Sequence, residues 1–385
     1  MENILSYIYL RQDISFSERA FNAADALILS ALAYVDWSDI SQEEETALPL
    51  ICLKYLSQNV QEVQPKEDSM SSFVPTLIRV LRNAKRYQKV RLKDFREMKS
   101  KDECLQFAAV TFELPDKSLV IAFRGTDGSM IGWHENMKML YMDDLPCQQL
   151  ARQYLENMAG KSAAEHKGWS FFRKTEPTDI YLTGHSKGGN LAMYAALCNP
   201  ALETQIVHVY NFDGPGFRES FYANKTVENI QKKITTVLPR GSVIGRLFSH
   251  KESFLIVDSG STGLTQHNAF HWHVAPTGFL PVKEFDPESN DTQAYMEHFI
   301  LSKADAENKA LTDCLFSLLE QLGVETMTDL ENLKIQQGIE GLMVMNTLSN
   351  EEKDFIWTVI QLLSGHTSLR KAKERNLLLR AGKSV

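Results

Sequence analysis

Cysteine is scarce and unpatterned in this chain. Cys52, Cys104, Cys147, Cys198 and Cys314 are scattered and odd in number. That argues against a disulfide framework and fits a reducing, cytoplasmic compartment. No apolar stretch is long enough to span a bilayer. Met1-Glu2-Asn3-Ile4-Leu5 lacks a basic region followed by a long apolar run, so no secretory signal is expected. Net charge is -8 with no basic stripe, so nucleic acid is not an expected partner. Internal repeats and low-complexity segments are also missing. With 385 residues, 43% hydrophobic and 23% charged, the chain has the composition of an ordinary globular protein of one large or two smaller domains.

Against this plain background one segment stands out, Thr183-Gly184-His185-Ser186-Lys187-Gly188-Gly189-Asn190. It contains Gly-x-Ser-x-Gly. The preceding Asp179-Ile180-Tyr181-Leu182-Thr183 has the character of a short buried strand. The following Leu191 to Leu197 reads as a helix with a small packing face, ended by Asn199-Pro200. This is the pattern of a nucleophile elbow, where a strained strand-to-helix turn exposes a reactive serine. Gly184 and Gly188 lack a Cβ that would collide where strand and helix approach. The helix N-terminus behind Ser186 offers unpaired N–H groups to an oxyanion.

A second segment has matching chemistry. Leu119-Val120-Ile121-Ala122-Phe123 reads as a buried strand running into Arg124-Gly125-Thr126-Asp127-Gly128. In serine hydrolases one oxyanion donor is the N–H after the nucleophile, here Lys187. The other comes from a loop after an earlier strand, which Thr126 would supply through its N–H and its hydroxyl. One such donor is worth ~3–4 kcal/mol in the transition state.

Phe123-Arg124-Gly125-Thr126 together with Gly184 to Gly189 resembles the class 3 lipases, the fungal triacylglycerol lipase group of α/β hydrolases. The chain is more similar to a bacterial family, the Mbeg-like hydrolases. That likeness is carried by Asn22-Ala23-Ala24-Asp25 with the following Ala26 to Leu29, by Gly184 to Asn190, by Tyr210 to Gly216, and by Gln266-His267. The resemblance extends to about Val274. It implies a hydrolase-like core and supplies no known reaction.

The order of an α/β hydrolase requires the base after the serine. His208 sits in the apolar run Ile206 to Tyr210, and His298 and His366 fall in helical stretches. His267 follows the flexible stretch 259–263 and precedes a strand-like segment around Trp272; it is the preferred base, with His250 the runner-up. The acid of class 3 lipases follows the second strand after the serine. Here that strand, Ile234 to Leu238, runs into Pro239-Arg240-Gly241-Ser242 with no carboxylate. Asp213 ends the preceding strand and is the better candidate. Asp258, after Phe254 to Val257, is the alternative. Asp213 also has a simpler reading, a turn residue before Gly214-Pro215.

Two further features call for a reading. The Lys187 side chain is expected to be solvated at the helix start, the other reading being attraction of an anionic substrate or of a carboxylate near the site. His267, His271 and His273 cluster, but no cysteine pair or acidic partner has matching spacing, so no metal and no cofactor is expected.

The organisation follows. Residues 1–100 read as an N-terminal helical part and 101–286 as an α/β-hydrolase core sheet with flanking helices. Within the core, 127–178 is a lid-like, methionine-rich insertion. Residues 287–385 read as a C-terminal helical extension, whose basic segment 370–383 could touch acidic lipid at a membrane surface. The expected function is hydrolysis of a carboxylic ester, lipid-like or small, by Ser186, His267 and Asp213. The alternatives are a hydrolase-fold binding protein without catalysis, or a thioesterase or peptidase using the same residues.

Overall fold

The computed structural model describes residues 3–41, 46–59, 69–167, 178–223, 227–297, 302–332 and 344–363. His298, His366 and the basic segment 370–383 lie outside them. Eight strands form one sheet in sequence order. They are β1 (Thr46–Ala47), β2 (Arg91–Ser100), β3 (Leu105–Glu113), β4 (Leu119–Phe123), β5 (Ile180–His185), β6 (Ile206–Phe212), β7 (Ile234–Pro239) and β8 (Ser253–Val257). The pairs from β1 to β4 are antiparallel, and those from β4 to β8 are parallel. The expected α/β-hydrolase-like core sheet is therefore present, with helices before, around and after it.

Alternation along the strands builds the layers. On β3 and β4, Val110, Phe112, Val120 and Ala122 face the cluster formed with the N-terminal helices. Phe107, Ala109, Leu119, Ile121 and Phe123 face the opposite cluster, as a period of two requires. The opposite cluster contains the crossover helix Pro146–Lys167 and the nucleophile helix Lys187–Leu197. Each fully buried Val, Leu, Ile or Phe contributes ~1.5–3 kcal/mol. Two strands depart from expectation: β1 and β2 fall inside the segment read as helical. The insertion also divides. Among its described residues, helix Met130–Met137 and the turn Lys138–Leu140 line the pocket at Ser186. The crossover helix packs on the sheet, where Tyr154 and Thr111 share a 2.9 Å hydroxyl contact.

The N-terminal segment Asn22 to Asp25 is a capping box for helix Ala23–Ala31. Buried Asp25 also pairs with Arg86 at 2.6 Å and accepts from the Tyr87 hydroxyl at 2.7 Å. The helix is tied to the sheet by Thr183, whose hydroxyl donates to the Ala26 carbonyl at 3.2 Å. A polar cap thus fixes the element lying under the strand that ends in Ser186. Among the described residues, no helix is long and apolar enough to cross a membrane.

Candidate active site

The C-terminal ends of adjacent parallel strands converge at one edge of the sheet, the usual position of a site in an open α/β fold. Ser186 follows β5 with φ 57° and ψ -131°. A non-glycine residue there is strained and persists only where its surroundings hold it. The neighbouring contacts explain the hold. A Cβ on Gly184 would lie 2.2 Å from the Gly188 backbone, and one on Gly188 would lie 2.1 Å from the Phe123 carbonyl. The Ser186 N–H donates to the Phe212 carbonyl at 2.8 Å, pinning the elbow beside the residue that follows β6.

That next residue is Asp213, fully buried and also at positive φ, 51°. Its Oδ2 accepts from His267 Nδ1 at 2.6 Å, and its Oδ1 accepts from the Ser242 hydroxyl. Ser242 sits in the turn after β7, where class 3 lipases are expected to carry the acid. That turn supplies a hydroxyl that holds the Asp213 carboxylate at the end of the neighbouring strand. A Cβ on Gly245 would lie 2.1 Å from Asp213 Oδ1, so this residue's bareness makes room for the acid. Donation from Nδ1 leaves the Nε2 lone pair of His267 available as a base.

His267 is held from its backbone as well. His185 Nε2 donates to the His267 carbonyl at 2.6 Å, and the Tyr34 hydroxyl meets His185 Nδ1 at 3.1 Å. Burial, reinforced by the nearby His267, pushes the His185 pKa well down, and burial pushes that of Tyr34 up. Both therefore stay neutral, and the phenol donates to the imidazole. The His185 and His267 rings lie 4.7 Å apart between centroids. Ser186 Oγ itself makes no hydrogen bond to His267 among the described residues. It is half-buried and faces an apolar pocket instead. A loose serine–histidine contact is common in unliganded hydrolases and tightens when substrate binds.

The loop after β4 presses on the elbow. A Cβ on Gly125 would lie 2.6 Å from the His185 carbonyl and 3.3 Å from Ser186 Cβ. Next to it, the Thr126 hydroxyl accepts from Asn136 Nδ2 at 2.7 Å, leaving its proton free to donate. The loop that carries Thr126 thus meets the elbow through Gly125, while Lys187 opens the helix directly after Ser186.

The Lys187 side chain corrects the solvated reading and meets a carboxylate, as the other reading allowed. It is neither solvated nor turned to a substrate. Its Nζ is buried and donates to the Gln106 carbonyl at 2.8 Å, to Gln106 Oε1 at 2.7 Å and to Glu135 Oε2 at 2.9 Å. All three ammonium protons are used. The same Glu135 oxygen accepts the Gln106 N–H at 3.1 Å, and Gln106 Nε2 donates to the Gly125 carbonyl at 3.3 Å. One buried network therefore joins the elbow, β3, the insertion helix and the loop bearing Thr126. Gln106 and Glu135 were missed in the sequence. A signal existed for Gln106, a lone amide in the apolar run Leu105 to Val110.

The other candidates are engaged elsewhere. Asp258 accepts from His273 Nδ1 at 2.9 Å and meets Arg240 at 3.5 Å. His250 Nδ1 pairs with buried Glu252 at 2.6 Å. Asp258 and His250 are therefore partnered away from Ser186. Among the described residues, no group of three His, Cys, Asp or Glu side chains is set to hold a metal ion. The pocket at Ser186 has an empty volume of about 750 Å³ including its open mouth. Trp133, Met137 and Leu140 from the insertion and Leu247 and Phe248 from the segment after β7 make its wall almost wholly apolar.

Comparison with known proteins agrees with the sequence resemblance. A family model described as Mbeg1-like matches residues 81–317, more than half of the chain. Similar solved structures include lipase II from Rhizopus niveus, 12% identical over 63% of this chain and 81% of that one, with TM-score 0.37. A form of MDLA from Penicillium cyclopium is 11% identical over 65% and 87%, with TM-score 0.35. A lipase from Rhizopus microsporus var. chinensis is 12% identical over 61% and 74%, with TM-score 0.29. A search of curated proteins returns no match.

Proposed function

Because the chain belongs to the Mbeg1-like family, whose lipase-like α/β-hydrolase fold it carries, we propose that it is a serine hydrolase cleaving a carboxylic ester with an apolar acyl group. The observation behind this reading is the 2.6 Å pair of buried Asp213 with part-exposed His267, on the strand end to which the strained Ser186 is hydrogen-bonded. Ser186 Oγ attacks the ester carbonyl carbon while its proton passes to His267 Nε2. The oxyanion is met by the Lys187 and Thr126 N–H groups and the Thr126 hydroxyl. His267 then protonates the leaving alkoxide as the carbon–oxygen bond breaks. Water, deprotonated by the same imidazole, releases the acid from the acyl-serine and returns the proton to Ser186. Asp213 orients the imidazole and stabilises its cation throughout. No metal or cofactor enters these steps. The apolar pocket favours an acyl chain over a peptide side chain, and an ester and a thioester would be attacked alike.

The test is turnover of p-nitrophenyl butyrate by the full chain. Wild type is expected to hydrolyse it, and Ser186→Ala to lose about 10⁶-fold in kcat. Equal rates would remove Ser186 from the mechanism. A second reading, a binding protein without turnover, is favoured by one observation: Ser186 Oγ is not hydrogen-bonded to His267. That reading requires wild type and Ser186→Ala to be equally inert towards esters and thioesters.

A further inference from the structure

The insertion beside Ser186 has the position of a lid, yet it is clamped. The Met130 N–H donates to the Glu325 carbonyl at 2.9 Å, and the Met327 N–H donates to the Gly128 carbonyl at 2.9 Å. Ser129 and Thr326 form an antiparallel bridge between these bonds. Thr326 is itself fixed by a capping box with Asp329. Further along, the His134 ring stacks on Phe316 at 4.2 Å and 11°. A separate apolar cluster forms here. It unites Met130 with Met296, Leu315, Phe316, Phe355 and Val359, and Trp133, Met137, Leu140 and Leu247 pack against it.

Those last four residues are also pocket walls. The cluster and the pocket therefore share side chains. Two of the C-terminal residues reach through it. Met296, from helix Pro287–Met296, and Val359, from helix Asn350–Leu363, line the same pocket as Ser186 while being almost entirely buried. Both lie beyond residue 286, outside the segment expected to hold the hydrolase core.

We propose that the C-terminal helices are part of the substrate site: Met296 and Val359 form a wall of the acyl pocket and determine the length of acyl chain that fits. This inference rests on Ser186 lying at the pocket's reactive end, and it deepens the ester reading. Its physical basis is simple. Buried side chains that belong to a packed cluster cannot swing aside to admit extra methylenes. A wall residue that is shortened yields room, and one that is enlarged removes it. The C-terminal extension thus acts as a specificity-determining element, with its helices replacing solvent on the outer side of the insertion.

The experiment uses the full chain with Val359→Ala, Met296→Ala and Val359→Phe. Each variant is given acetyl, butyryl, octanoyl and dodecanoyl p-nitrophenyl esters. Thermal melts report folding. The two alanine variants are expected to raise kcat/KM for longer chains relative to butyryl by about tenfold. Val359→Phe is expected to reverse that preference, lowering kcat/KM for the longer chains relative to butyryl by about tenfold. The same variants are tested in the Ser186→Ala background for binding of the corresponding free fatty acids, by displacement of a fluorescent fatty acid. Ester turnover with an unchanged length profile in folded alanine variants overturns this proposal and leaves the hydrolase reading standing. Length-dependent binding that shifts with Val359 and Met296, without any ester turnover, does the opposite. The absence of both a shifted turnover profile and shifted binding in folded variants overturns the proposal outright.

Discussion

Asp213→Asn is expected to lower kcat for p-nitrophenyl butyrate by about 10⁴-fold. The carboxylate accepts the His267 Nδ1 proton at 2.6 Å while Ser242 donates to its other oxygen. An asparagine has one acceptor oxygen, and Ser242 is positioned to occupy it. The amide nitrogen then turns to His267 and donates to Nδ1. That selects the tautomer with the proton on Nε2, facing Ser186, where it cannot take the serine proton. Asparagine fits the same volume, so the thermal melt should move far less than the activity. The measurement is kcat and melting temperature on the same preparation. If Asp213→Asn retains wild-type kcat, Asp213 is the turn residue that its Gly214-Pro215 context also suits, and the base is oriented by another group.

The second large effect is on stability. Lys187→Met should destabilise the fold by about 3–5 kcal/mol, because breaking a buried pair strands the remaining charge. The stranded group is Glu135, which is fully buried and whose Oε1 already has no hydrogen-bond partner. The double variant Lys187→Met with Glu135→Leu should recover most of the loss, since two apolar groups of similar volume remove both desolvation costs. Urea denaturation of the single and double variants measures the coupling. Activity should stay impaired in the double variant. Lys187 holds Gln106, and Gln106 Nε2 reaches the Gly125 carbonyl at 3.3 Å, so the loop carrying Thr126 loses a support. Full stability with full kcat in Lys187→Met would mean that the network neither holds the fold nor positions the oxyanion loop.

The elbow was legible because its needs are local. Glycines at fixed offsets, a buried strand before them and a small-faced helix after them leave a signature in consecutive residues. Asp213 was singled out by a different route, since the turn expected to hold the acid has no carboxylate and the nearest strand end does; the structure pairs it with His267. The preference for a solvated Lys187 failed, while the other reading, a carboxylate near the site, was met. A lysine at a helix start is ordinarily solvated, and nothing near it in the chain announces Glu135, which arrives on the insertion helix. Strand β2 failed through register. Leu92, Phe95 and Met98 are spaced by three, a helical interval. The strand accommodates them with a bulge between Leu92 and Asp94. The bulge brings Leu92 and Phe95 to one face and leaves Met98 on the other. The meeting of the C-terminal helices with the insertion is purely tertiary, built by backbone bonds between segments about two hundred residues apart, and leaves no local pattern.

The most direct test is covalent labelling of the full chain by a fluorophosphonate, followed by intact mass and peptide mapping, for wild type and His267→Ala. The account predicts a single adduct on Ser186 in wild type, formed at least about a thousandfold more slowly when the imidazole is removed. An adduct forming at the same rate in both proteins, or on a residue other than Ser186, would contradict it.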